Sequence, residues 1–263
     1  KVKCSHKECG REFATQWADA ATKEELSIGR ETSEKFEIGR NFCNKLWNAA
    51  RYAFMNLESK GNESVGWAVP TNSVSLLPED RWILARLSQT IRAYHQAIGS
   101  YQFSASVKEL REFFWDSLCD WYIELTKPRL APSIDGETPP SPRVSDPAQQ
   151  VLAFCLDQVL RLWHPTMPFI TERLWQQLNE LVPRRGIPGV AELKTDTDLI
   201  RAEFPPLEGY PSVEDPRILQ TFADLQDAVR GVRDLRVQCG VSPREPVTVT
   251  VIVAPDNIDA FKA

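Results

Sequence analysis

A chain of 263 residues, 42% of them hydrophobic and 25% charged, has the balance of an ordinary globular protein and the length for one large domain or one domain with appendages. Its formal net charge of −5 argues against indiscriminate attraction to polyanions, so a nucleic acid would have to be gripped by a local basic cluster. No apolar run approaches the ~18 residues of a membrane-crossing helix, and no basic-then-apolar leader opens the chain, so no membrane partner is expected.

Six cysteines (Cys4, Cys9, Cys43, Cys119, Cys155 and Cys239) are too few and too scattered for a secreted disulfide framework. A reducing, cytoplasmic setting is expected. The first residue is Lys1 rather than Met, which predicts a fragment or a processed product.

Residues 1–32 are polar and weakly periodic, and read as an N-terminal insert or linker. A helix capped at Ser33 follows, with Glu34 and Glu37 in its first turns and apolar residues recurring to about Leu57. Gly61, Asn62, Ser64 and Gly66 mark a loop. Pro78-Glu79-Asp80 opens a second helix with Trp82, Ile83, Leu87, Ile91 and Tyr94 on its apolar face. The pattern predicts a third helix from about Ser104 that stops before Pro128.

Prolines 132, 139, 140, 142 and 147 predict a solvent loop over 129–147. A fourth helix is expected from about Ala148 to Leu162, ended by His164-Pro165 and Pro168, and a fifth from Phe169 to Leu181. The stretch from Pro183 to Pro216 is turn-rich, and a sixth helix is expected over about Ile218 to Val237. From Val247 to Val253 valines alternate with their neighbours at the period of a strand, which marks the start of a small α/β unit over 241–263. Long amphipathic helices on short connections imply a mainly α fold, an antiparallel bundle over 33–182 with a loop and a further helix over 183–240. No internal repeat is present.

Concentrated catalytic chemistry is missing. The histidines are His6, His95 and His164, and no nucleophile elbow, phosphate-cradling glycine loop or two-histidine zinc helix occurs. Together these absences favour binding over catalysis. Cys4-x-x-x-x-Cys9-Gly10 resembles one knuckle of a zinc ribbon, but two thiolates make only half a zinc site, and free cysteines are the plainer reading. Arg230, Arg233 and Arg236 line one helix beside Asp224, Asp227 and Asp234, as on a solvated salt-bridged face.

The first long helix is the most informative segment. At about 100° per residue, Phe42, Cys43, Leu46, Ala49, Ala50, Ala53 and Leu57 gather on a core face. Arg40, Asn44, Trp47, Asn48 and Arg51 gather opposite. An aromatic plane for stacking, amides for base edges and guanidiniums for phosphate form the mixture that reads unpaired bases. Trp47 packed against a neighbouring helix is the alternative, and the helix pattern alone does not choose between them.

Four stretches carry a family resemblance: Arg40-Asn41-Phe42-x-Asn44-Lys45-Leu46-Trp47-Asn48-Ala49-x-Arg51, Leu77-Pro78-Glu79-Asp80-Arg81-Trp82-Ile83, Asp120-Trp121-Tyr122-Ile123-Glu124-Leu125-x-Lys127-Pro128-Arg129, and His164-Pro165-x-Met167-Pro168-Phe169-Ile170-Thr171-Glu172-x-Leu174-Trp175. In this order they resemble the anticodon-binding helical bundle of class I aminoacyl-tRNA synthetases, closest to the valyl branch. The resemblance is strong over 33–181 and less specific through Val232-Arg233-Asp234-Leu235-Arg236 to the strand pattern.

It implies a parent enzyme that joins valine to its tRNA with ATP, in a nucleotide-binding domain carrying His-Ile-Gly-His and Lys-Met-Ser-Lys-Ser signatures. Neither signature occurs here, so catalytic residues are not expected in this chain. The implied partners are a tRNA anticodon stem-loop and the catalytic and editing domains of the same polypeptide.

Carried over residue by residue, Arg40, Asn44, Trp47, Asn48 and Arg51 are the expected anticodon contacts, with Lys127, Arg129 and Arg185 as candidates for backbone phosphates. Residues 1–32 depart from the family pattern and carry Cys4 and Cys9, which suggests an inserted element with half a zinc ribbon; the loop at 129–147 is longer than the family pattern leads one to expect. Two alternatives stand: a helical protein-interaction scaffold in which Trp47 and Arg51 anchor a partner helix, and the equivalent region of an isoleucyl, leucyl or methionyl relative.

Overall fold

The computed structural model describes residues 2–3, 10–14, 18–26, 34–57, 75–130, 147–242 and 245–250. They fall into two units, Lys1–Leu46 and Trp47–Ala263, each described by itself. In the first, β1 (Val2–Lys3) pairs antiparallel with β2 (Glu12–Phe13) in the register Val2↔Phe13. Helix α1 (Ala20–Glu25) starts at Asp19, whose Oδ1 accepts the Thr22 N–H at 2.7 Å, a side-chain cap on an otherwise orphan donor. Helix α2 (Glu34–Leu57) begins in this unit and ends in the next.

The larger unit is a helix bundle, as the apolar periodicities require. Helix α3 (Pro78–Gly99) has proline in its first turn, where no N–H is needed, and Asp80 Oδ2 accepts the Leu77 N–H at 3.1 Å. Trp82, Ile83, Leu84, Leu87 and Ile91 line its buried side. Helix α6 (Pro147–Trp163) is buried almost all round and is the central member, which fits its near-continuous apolar sequence. Its last turn meets the corner before α7 (Pro168–Leu181), where the Thr171 hydroxyl donates to the Met167 carbonyl and its oxygen lies 2.9 Å from His164 Nδ1. Helix α8 (Pro216–Gln238) is capped by Asp215 and stacks Phe222 on Trp82 of α3, with ring centroids 4.7 Å apart.

Between α3 and α6 the chain is one long helix in three parts: α4 (Phe103–Glu112), a run of wide π turns (Phe113–Tyr122) and α5 (Ile123–Leu130). The Ile123 N–H reaches back five residues to the Leu118 carbonyl. Phe113 and Phe114, Leu118 and Cys119, then Tyr122 and Ile123 are all buried, a spacing of four to five residues that the wider turn keeps on one side.

This helix does not stop before Pro128, as the sequence predicts, but runs through it to Leu130. Thr126 and Arg129 hold the last turn. The Thr126 hydroxyl donates to the Tyr122 carbonyl, and Arg129 pairs with Glu79 and Asp80 at the start of α3.

The turn-rich stretch holds a small antiparallel hairpin, β3 (Arg185–Ile187) with β4 (Ala191–Leu193), and two short 3₁₀ turns at Leu199–Arg201 and Pro211–Val213. It is fastened at Ser88 of α3, whose hydroxyl accepts the Tyr210 N–H and donates to Glu214. Gly209, at φ +65°, lies so close that a Cβ would stand 2.5 Å from Ser88 Oγ. Val247–Thr250, expected in a strand, are exposed and unpaired with any strand among the described residues; residues 251–263 and the proline-rich segment 131–146 lie outside them. Among the described residues no helix is long and apolar enough to cross a membrane.

Candidate nucleic-acid interface

Helix α2 sorts its residues as a 3.6-residue period dictates. Within Lys1–Leu46, Phe42 and Leu46 are buried while Arg40 and Asn44 are exposed. Within Trp47–Ala263, Ala50, Ala53, Phe54 and Leu57 are buried while Asn48 and Arg51 are exposed and Trp47 keeps 40% of its surface in solvent. Cys43 and Ala49, expected on the core face, are half-buried at its margin.

Among the described residues no carboxylate pairs with Arg40 or Arg51, so both guanidiniums keep their charge available. The last turn of α2 is tied down by Asn56, whose carbonyl accepts from Gln149 Nε2 of α6 at 2.8 Å.

Lys127 lies on the exposed side of α5, paired with Glu124, and near enough to Tyr52 of α2 for its charge to act on that phenol. Burial raises the Tyr52 hydroxyl above its usual value, with Lys127 opposing and Glu124 adding to the shift. Trp47, Asn48, Arg51 and Lys127 thus offer an aromatic plane, an amide and two cations, of which Arg51 has no carboxylate partner among the described residues.

Arg129 and Arg185, expected to meet phosphates, are placed differently from Lys127, each engaged by internal carboxylates. Arg129 donates to Glu79 Oε1 at 2.7 Å and to both oxygens of Asp80 at 3.0 Å, leaving its side chain 15% exposed. Tyr122 completes this cluster by donating to Asp80 Oδ1 at 2.8 Å, and burial together with the adjacent carboxylate pushes its hydroxyl well above the usual range.

Arg185 is buried. Its Nε donates to Asp157 Oδ2, its Nη1 to the Val182 carbonyl and its Nη2 to Asn179. Arg161 takes the other Asp157 oxygen, and both guanidiniums lie over the Trp175 ring, at 4.8 and 4.4 Å from its centroid. Burial lowers the Arg185 proton affinity and Asp157 works to restore it. A buried carboxylate shared by two guanidiniums fixes the hairpin to α6 and α7.

Sequence reasoning missed this cluster, although Asp157 and Arg161, four residues apart inside an apolar helix, signal it. Cys4 and Cys9 lie outside the described residues, and among the described residues no group of three or more His, Cys, Asp or Glu side chains is placed to hold a metal.

The family model described as the anticodon-binding domain of tRNA ligase matches residues 80–252. Helix α2 precedes that stretch, but whole-chain similarity reaches further. A valine–tRNA ligase of Rhodopirellula baltica is 38% identical over 244 residues, 92% of this chain and 22% of that protein. Those of Synechocystis and Gloeobacter violaceus are 39% and 41% identical over 87% and 83% of this chain, and 23% and 21% of their own lengths. The chain therefore spans less than a quarter of the curated relatives it matches. With a helical bundle, the four motifs in their expected elements and a family match over residues 80–252, the chain belongs to the anticodon-binding domain family of tRNA ligases.

Proposed function

We propose that this chain is the anticodon-reading region of a valine–tRNA ligase, and that it meets unpaired anticodon bases through the outward side of α2. One observation carries the reading: Trp47, 40% exposed, stands beside exposed Asn48 and Arg51 on a helix whose opposite side is buried. An indole in that position stacks a base, the amide reads its edge and the guanidinium meets the backbone. Lys127 adds a phosphate contact near Tyr52, and Arg40 and Asn44, exposed in the Lys1–Leu46 unit, are separate candidates for RNA contact.

The valine assignment rests on relatives that bear that name. In this reading the ATP-dependent charging of tRNA-Val belongs to catalytic and editing domains elsewhere in the polypeptide, in the cytoplasm. Zinc enters only as a half-site at Cys4 and Cys9, supported by their spacing alone.

A test is direct titration of the chain with a fluorescent tRNA-Val anticodon stem-loop and with the same hairpin bearing a scrambled loop. Tighter binding of the native loop, weakening steeply with salt, is the expected result. Equal binding of both hairpins would remove the base-reading role.

A further inference from the structure

At the far end of α3 the chain makes a turn that glycine usually occupies. The Gln102 N–H bonds the Ala97 carbonyl at 2.8 Å and the Tyr101 N–H bonds the Ile98 carbonyl at 3.0 Å, the paired six-to-one and five-to-two bonds of a Schellman cap. Tyr101 takes the left-handed position, at φ +58°, and among the described residues it is the one non-glycine with positive φ. A side chain bearing Cβ is strained there where glycine is not.

The ring is not repaid by burial. Tyr101 is 82% exposed, and among the described residues its one ring contact is edge-on to Phe103, itself 60% exposed, at 6.4 Å between centroids. Strain kept at an exposed aromatic points to a role outside the fold.

The surroundings indicate what that role is. From Arg81 to Lys108 the sequence contains no Asp or Glu, in a chain whose net charge is −5. The exposed neighbours of the two rings along the chain are Gln96, Ser100, Gln102 and Ser104, amides and hydroxyls rather than aliphatic side chains, and Lys108 stands exposed about one turn further along α4, where it pairs with Glu112. A protein-docking patch would surround its aromatics with apolar bulk. Flat rings among neutral hydrogen-bonding groups, with no Asp or Glu on the α3 side of the turn back to Arg81, suit an unpaired nucleotide.

We infer that the α3–α4 turn is a second RNA contact, at which Tyr101, braced by Phe103, stacks on an unpaired base of the same tRNA whose anticodon α2 reads. This rests on the RNA-binding reading above, but on different residues.

The chain, titrated with an unmodified tRNA-Val transcript, is compared with Tyr101→Gly, Phe103→Leu and Trp47→Ala, and each complex is footprinted with hydroxyl radicals. Tyr101→Gly relieves the strained turn, so its melting temperature should rise by about 2–4 °C. Its dissociation constant should rise about fivefold or more, the loss of one stacked base. Phe103→Leu, which keeps apolar bulk and loses the flat ring, should weaken binding in the same direction. Both should lose protection at nucleotides that Trp47→Ala still protects.

Unchanged affinity and footprint in Tyr101→Gly and Phe103→Leu, with Trp47→Ala weakened, overturns this contact and leaves the α2 reading standing. A lower melting temperature for Tyr101→Gly also overturns it, because the ring would then serve packing. Failure of the unaltered chain to bind the transcript overturns both.

Discussion

Arg185 Nε donates to Asp157 Oδ2 at 2.7 Å, and neither side chain has any exposed surface. A guanidinium held in that position is predicted to serve the bundle rather than a phosphate. Breaking one side of a buried pair leaves an uncompensated charge, at a cost of about 3–5 kcal/mol. Arg185→Ala should lower unfolding free energy by that amount in urea titrations, while the folded fraction binds RNA as before. A stable variant with weakened RNA binding would return Arg185 to the interface.

Alkaline pH should act through Tyr122. Its hydroxyl is buried against Asp80, and its folded proton affinity lies well above the ordinary value of 10.0. For a group whose folded value is raised, the stabilising contribution is complete below the unfolded value and is lost as pH rises through the folded one. Stability followed by denaturant unfolding should therefore fall with pH above about 10. In Tyr122→Phe that limb should flatten, on a lower baseline because Asp80 loses a donor.

Gly209 should tolerate no side chain. A Cβ at φ +65° would meet Ser88 Oγ at 2.5 Å and the Ser88 carbonyl oxygen at 2.7 Å, and the second of these is backbone. Gly209→Ala should cost about 1–3 kcal/mol by overpacking. Thermal melts provide the check, and an unchanged midpoint would contradict the close packing of this loop on α3.

Much of this architecture is legible in the sequence, and the exceptions have identifiable causes. Residues 34–57, 78–99, 147–163, 168–181 and 216–238 match the expected helices closely, because apolar spacing and prolines mark them. The exposed side of α2 follows from the same period. Pro128 misleads, since the ion pairs of Arg129 with Glu79 and Asp80 carry the helix past it. Arg184 and Arg185 are indistinguishable as text, yet Arg184 is exposed just before the strand while Arg185 opens β3 and turns inward onto Asp157. The β3–β4 hairpin itself is too short to show a pattern.

Salt dependence separates the arginines. Each phosphate neutralised on a single strand contributes about 0.7 to the slope of log affinity against log salt. Arg51→Ala should reduce that slope by about 0.7 and Lys127→Ala should reduce it in the same direction, whereas Arg129→Ala and Arg185→Ala should leave it in place. A slope indifferent to Arg51 would place its guanidinium away from the backbone.

The outward side of α2 is tested most directly by the affinity of Trp47→Ala for the tRNA-Val anticodon stem-loop, with circular dichroism confirming the fold. Because the indole is partly in solvent, truncation should spare the bundle and weaken binding by about 1–3 kcal/mol, the contribution of one stacked base. Undiminished affinity in a folded Trp47→Ala chain, repeated in Arg51→Ala, would contradict the account.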